Sequence, residues 1–181
     1  MTFKTIEIEE LHINPMIMIG SKWWLVTAGN ETDGFNTMTA SWGHLGAIWG
    51  REENKFKDQL GLPTAVVYLR PQRYTKQYMD RETIFTLSVF EHEHRDALLY
   101  VGSHSGREGN KVLKAGLTPV FGDGTTYFAE AKMVFICKKI YHAPLIEEGF
   151  IDKDLIKHNY DGNDFHHLYI GEIQKVLVQS K

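Results

Sequence analysis

Apolar and polar positions alternate with period two along Asn36-Thr37-Met38-Thr39-Ala40-Ser41-Trp42. In an extended chain this puts Asn36, Met38, Ala40 and Trp42 on one side and the hydroxyls of Thr37, Thr39 and Ser41 on the other. An apolar segment from Trp23 to Ala28 and the turn-rich Gly29-Asn30-Glu31-Thr32-Asp33-Gly34 come before it, so the run is the predicted second strand of a hairpin. A hydroxyl stripe of this kind lines a polar ligand or forms an ordinary solvated sheet face, and the pattern alone fits both.

The same reading along the rest of the chain gives mostly strands. Phe3, Ile6 and Ile8 among charged residues predict an edge strand or extended arm, and Met16 to Ile19 followed by Trp23 to Thr27 predicts one strand broken at Gly20-Ser21. Leu45 to Trp49 is short and apolar, Arg51 to Gly61 is a polar surface excursion, and Thr64 to Leu69 is the clearest buried strand. Phe85 to Phe90, Ala131 to Tyr141 and Leu168 to Val178 continue the pattern, the last with a bulge near Gly171. A hairpin is predicted around Gly122-Asp123-Gly124. Helices are predicted from Thr75, which can cap Lys76 to Asp80, over Glu93 to Val101, and as a turn at Asp152 to Lys157. The chain therefore reads as one mainly β domain over residues 1–181, either a β-barrel or an α+β domain, with short peripheral helices.

Composition narrows the classes. Twenty basic against 23 acidic residues, net charge -3, leave no electrostatic footprint for nucleic acid or an anionic membrane. No apolar run approaches a membrane span, and the acidic stretch Met1 to Glu10 is unlike a secretory signal, so a cytoplasmic protein is expected. The single cysteine, Cys137, lies in an apolar run and reads as a buried small hydrophobe rather than a nucleophile.

Candidate chemistry is sparse. His92-Glu93-His94 and His166-His167 are the only local histidine clusters, and the first sits at a strand-to-helix connection among charges, so no metal site is expected. Gly102-Ser103-His104-Ser105-Gly106 is not a nucleophile elbow, and neither a phosphate P-loop nor a dinucleotide fingerprint occurs. In Arg70-Pro71-Gln72-Arg73-Tyr74-Thr75, however, two guanidinium groups precede a helix start. There backbone N–H groups, the macrodipole and a bidentate Arg can meet a phosphate; otherwise Arg70 and Arg73 are solvated surface charges. The loop from Ser103 to Lys111 carries glycines that allow close backbone approach to a ligand.

Four motifs in chain order resemble the flavin reductase-like family of FMN-binding split β-barrel proteins, the group that includes the flavoredoxins. They are Asn36 to Trp42, Arg70 to Thr75, Ser105-Gly106-Arg107 with Lys111, and His167-Leu168-Tyr169-Ile170-Gly171-Glu172-Ile173, and the resemblance spans Pro15 to Val176. It implies a homodimer of split barrels with FMN near the subunit interface. Asn36, Thr37, Met38, Thr39, Ala40, Ser41 and Trp42 would border the flavin ring and ribityl chain, and Arg70, Arg73, Tyr74 and Thr75 would meet the phosphate. Ser105, Gly106 and Lys111 would close over the cofactor, with His167 or its neighbour His166 nearby. The implied activity passes electrons or hydride from a reduced small-molecule or protein donor such as NADH or NADPH through FMN to an acceptor. The hydride chemistry then belongs to the cofactor, and no catalytic residue is named. The alternatives are a non-catalytic FMN module shuttling electrons between proteins, and a sheet protein that binds no flavin.

Overall fold

The computed structural model describes residues 2–50, 61–162 and 164–180; apart from Gly61, the predicted surface excursion lies outside them. The predicted hairpin forms. Strands β2 (Trp24–Asn30) and β3 (Gly34–Ala40) pair antiparallel from Trp24 opposite Ala40 to Asn30 opposite Gly34. Its turn is closed by Asn30, whose Oδ1 accepts from the backbone N–H of Thr32 at 2.9 Å and of Asp33 at 2.8 Å.

The other large strands are β1 (Phe3–Ile6), β4 (Gly43–Ile48), β5 (Leu62–Leu69), β6 (Ile84–Val89), β9 (Met133–Pro144) and β10 (His167–Gln179). They join the hairpin in one eight-stranded antiparallel sheet of order β3-β2-β6-β9-β10-β5-β4, with β1 on β10. Strands β3 and β4 stand at opposite ends of this path, yet only Ser41 and Trp42 separate them in sequence. Three Cα steps span at most about 11 Å. The sheet must therefore curl until its ends nearly meet without pairing, which is a split barrel.

Alternation along the strands fills two apolar layers. Trp24, Val26, Ala28, Phe85, Leu87, Phe135 and Cys137 enter one core, while Leu25, Val134 and Ile136 enter a second. The second is covered by helix α3 (Arg95–Ser103) through Leu98 and Val101, by α4 (Lys111–Lys114) through Val112, and by the hairpin of β7 (Pro119–Gly122) and β8 (Thr125–Phe128) through Phe128. Cys137 is buried as expected, and burial pushes its thiol far above the usual range, so it is inert. The bulge near Gly171 is present as a register shift between Ile170 and Gly171. A Cβ there would lie 2.5 Å from the Phe85 ring, so glycine is what lets that ring occupy the core.

Two local expectations are corrected. Residues 15–22 are helical rather than a broken strand: Pro15–Ile17 opens α1 and a π-helical turn, Met18–Lys22, follows. Asn14 caps it by accepting the Ile17 N–H at 3.2 Å, and proline suits a first helical turn, so the cap outweighs the β-propensity of the Met/Ile run. The break falls at Trp23, with φ of 69°, not at Gly20-Ser21. The second correction concerns the helix after Arg73. Helix α2 runs Tyr74–Arg81 with Arg73 as its uncapped N-terminal residue, and Thr75 lies inside its first turn with its hydroxyl engaged elsewhere. The remaining helix, α5, is Asp154–Asn159.

Candidate functional site

Strand β5 ends at Leu69, and the chain turns back through Arg70-Pro71-Gln72-Arg73, closed by the Arg73 N–H on the Arg70 carbonyl at 3.1 Å. Proline presets that turn. The turn aims the start of α2 into a cavity of about 600 Å³, and no side chain caps that start. The amide of Asn36 on β3 donates to Thr75 Oγ1 at 2.8 Å, a buried bond that fixes strand and helix together. Gly106 lies against this joint: a Cβ would fall 2.2 Å from Asn36 Oδ1 and 3.2 Å from the Tyr74 ring. The loop between α3 and α4 can close on the cavity only with glycine at this position.

Cations gather on the same cavity. Lys111 is buried, and its Nζ donates to the carbonyls of Val101 at 3.0 Å and His104 at 2.9 Å. Arg73 donates to the Gly102 carbonyl at 3.1 Å. Both groups thus hold the C-terminal end of α3, whose dipole attracts cations. Arg107 lies over the Tyr74 ring at 4.5 Å and donates to the Gln72 carbonyl at 3.4 Å. None of these three cations pairs with a carboxylate among the described residues, although Glu108 also borders the cavity. Burial first, and then the Arg73 charge, lower the Lys111 pKa to about 8. Arg70 is different. It pairs with Asp164, donates to the Asn159 carbonyl at 2.5 Å and lies 5.3 Å from the Tyr160 ring centroid, so its charge is already matched.

A second cavity of about 250 Å³ adjoins the first, sharing Met38, Arg70 and Arg73 with it. Its floor is the run from Met38 to Trp42, and its wall is Tyr68 and His166. Among the described residues strand β3 pairs only with β2, so alternate backbone N–H and C=O groups on its free edge are presented outward. His166 packs on Trp42 with ring centroids 4.7 Å apart, and its Nδ1 is 2.9 Å from the Tyr160 hydroxyl. Burial, then the charges of Arg70 and Arg73 against an opposing Asp164, lower its pKa to about 4. It is a neutral imidazole at neutral pH.

The structure therefore brings Asn36, Met38, Arg70, Arg73, Tyr74, Thr75, Ser105, Gly106 and Lys111 to the first cavity, and Thr39, Ala40, Ser41 and Trp42 to the second. Two expected residues stand outside both. The Thr37 hydroxyl is buried on Thr27 Oγ1 at 2.8 Å and on the Val26 carbonyl at 3.2 Å, so it faces the barrel wall. His167 lies in register between Leu69 and Pro144 and borders neither cavity; His166 is the histidine that does. The hydroxyl stripe is thus largely consumed internally, since Thr39 also donates to the Leu98 carbonyl at 2.5 Å. Arg107, Gln72 and Tyr68 line the cavities without having been predicted to; the first two lay inside quoted motifs, which was their one sequence signal.

No family model and no curated protein matches the sequence. Solved structures do. An FMN-binding domain of a flavin reductases-like enzyme from Shewanella baltica superposes with a TM-score of 0.65 at 16% identity, covering 98% of this chain and 77% of the other. The flavoredoxin of Desulfovibrio vulgaris (Miyazaki F) gives 0.63 at 23% identity, with 87% and 69% covered. An NADH:FAD oxidoreductase of Streptomyces globisporus gives 0.60 at 18% identity, with 87% and 75% covered. Among the described residues no helix is long and apolar enough to cross a membrane. The chain has the split-barrel fold shared by FMN-binding flavin reductase-like proteins and flavoredoxins.

Proposed function

We propose that this protein is an FMN-dependent oxidoreductase that takes electrons or hydride from a reduced donor such as NADH or NADPH and delivers them to an acceptor. The observation that carries the proposal is the cluster of Lys111, Arg73 and Arg107. Three cations that have no carboxylate partner among the described residues line one cavity, at an uncapped helix start, beside the free edge of a strand.

An anion with two charges and several acceptor oxygens suits that cluster. The phosphate of FMN is such an anion, and the residues present fit it. Arg73 and Arg107 would hold the phosphate oxygens, Lys111 would add charge from below, and the first turn of α2 would contribute N–H donors. The backbone edge of β3 from Met38 to Trp42 would meet the pyrimidine edge of the ring. Trp42 and His166 would exclude water from one side, with Tyr160 holding the imidazole in place. When bound, FMN supplies the hydride and electron chemistry, so the protein need only bind, orient and shield. The likeness to proteins described as FMN-binding or as an NADH:FAD oxidoreductase supports this reading and the reduced-nicotinamide donor. A homodimer with the flavin near the subunit interface belongs to the same proposal, as does a cytoplasmic location.

The visible absorption spectrum of the purified protein before and after FMN addition tests the cofactor. A resolved, shifted flavin band is expected; no spectral change on mixing would overturn the reading. Stopped-flow mixing with NADH and NADPH tests the reductase step through bleaching of that band, and no bleaching with either would leave an electron-transfer module instead.

A further inference from the structure

A third cavity, of about 560 Å³, shares Ser41, Trp42 and Tyr68 with the cavity beside β3 and no residue with the cationic one. Its walls come from three places. Trp42 and Tyr68 belong to the sheet end, Met16 and Ile19 to the α1 region, and Phe150, Leu155 and Tyr160 to the segment after β9. Among the described residues no Lys, Arg, Asp or Glu lines it. The polar groups are few: His44 Nδ1 sits 3.5 Å from the Tyr68 hydroxyl, and Asn159 and Ser41 also line the cavity.

We propose that this cavity binds an uncharged aromatic small molecule carrying a hydrogen-bonding substituent, of the phenol or quinone class. A charged ligand would lose its hydration here and gain no counter-charge. Aromatic walls gain most from a planar ring, and one or two convergent polar groups suffice to orient it. The volume lies within the range of about 300–1,000 Å³ typical of small-molecule sites. The diphosphate of a dinucleotide has no cationic partner in this lining. Binding here does not depend on the flavin reading, although the shared Trp42 would put the two ligands on neighbouring surfaces.

Calorimetric titration of the full chain, with and without FMN, compares 2-naphthol with 2-naphthalenesulfonate, the same ring system bearing a charge. The expected result is 1:1 binding of 2-naphthol at least tenfold tighter than of the sulfonate. It should weaken at least tenfold in Leu155→Asp and in Met16→Asp, substitutions on two walls at residues 50% and 72% exposed, where a charge does not threaten the core. No saturable binding, equal affinity for the sulfonate, or indifference to both substitutions would overturn the proposal. So would sedimentation showing that either substitution splits a dimer while 2-naphthol fails to bind, because a second copy would then fill the cavity. FMN titrated in parallel separates the two proposals: loss of flavin binding with 2-naphthol binding intact sinks the function and leaves this site standing.

Discussion

The side-chain amide of Asn36 donates to the Thr75 hydroxyl across 2.8 Å of buried space, joining residues 39 positions apart in the chain. This bond ties β3, an edge strand on the cavities, to the first turn of the helix that starts there. Without it, the hydrogen-bonding edge and the helix start could drift independently. With it, a ligand spanning both would meet a preformed site and lose less binding energy to ordering the protein.

Thr75→Val keeps the shape of the side chain and leaves the Asn36 amide buried without its acceptor. A loss of about 1–3 kcal/mol in unfolding free energy is expected, read from urea midpoints at constant slope. Replacing both partners, as in Asn36→Leu with Thr75→Val, should return part of that loss because no orphaned donor remains. Strictly additive losses would show that the two residues are not coupled.

Arg73 and Arg70 stand close in sequence but in different electrostatic circumstances. Among the described residues Arg73 pairs with a carbonyl and no carboxylate, so Arg73→Ala should weaken FMN by about 10- to 100-fold, the scale of one charge-assisted contact, and riboflavin far less. Arg70 is matched by Asp164, so Arg70→Ala should chiefly loosen the chain near residue 160, seen as faster amide exchange there, with a smaller effect on FMN. Equal losses of FMN and riboflavin in Arg73→Ala would remove Arg73 from the phosphate.

Lys111 gives the site a pH signature. Its pKa is lowered to about 8 by burial and by Arg73, so the cation is lost as pH rises through about 8. FMN affinity should therefore fall by about tenfold between pH 7 and pH 9, where the phosphate itself stays a dianion. In the flavin-free protein the sign is opposite. The unfolded chain binds the proton more tightly above about 8, so the Lys111 contribution to stability rises with pH over that window. Lys111→Met should flatten both trends, and an unchanged pH slope of FMN binding in that variant would exclude Lys111 from the anion site.

Much of this was legible in the chain. Period two between Asn36 and Trp42 marked the strand, whereas the cap and first-turn proline of Asn14-Pro15 were outweighed in the pattern by the β-propensity of Met16 to Ile19. What failed was the assignment of faces and partners. Alternation says that Thr37 and Met38 point opposite ways, but in this doubly covered sheet both sides are walled. Thr37 meets Thr27 directly across the ladder, while Met38 takes the cavity side. The Thr75 hydroxyl resembled a local cap because its partner, Asn36, is distant in sequence. His166 and His167 differ by one position at the start of β10, so only the register of that strand against β5 decides which ring reaches Trp42.

His166 supplies the last test. It is buried against Trp42, hydrogen-bonded to Tyr160, and held at a pKa of about 4 by burial and two arginines. An unfolded histidine titrates near 6.5, so between about pH 6.5 and pH 4 the unfolded state binds a proton that the native state refuses. The stability tied to this group is complete above the upper bound and is lost as pH falls, by roughly 1–2 kcal/mol between pH 7 and pH 5. His166→Phe retains a ring against Trp42 but cannot titrate. Its stability at pH 7 should be lower, because the Tyr160 hydroxyl loses its partner, and its further loss on acidification to pH 5 should be smaller than in the parent chain. Denaturant midpoints at the two pH values give both quantities. An identical pH 7 to pH 5 difference in the two proteins would mean that His166 takes up its proton as easily folded as unfolded, and that the wall beside β3 is wet rather than sealed.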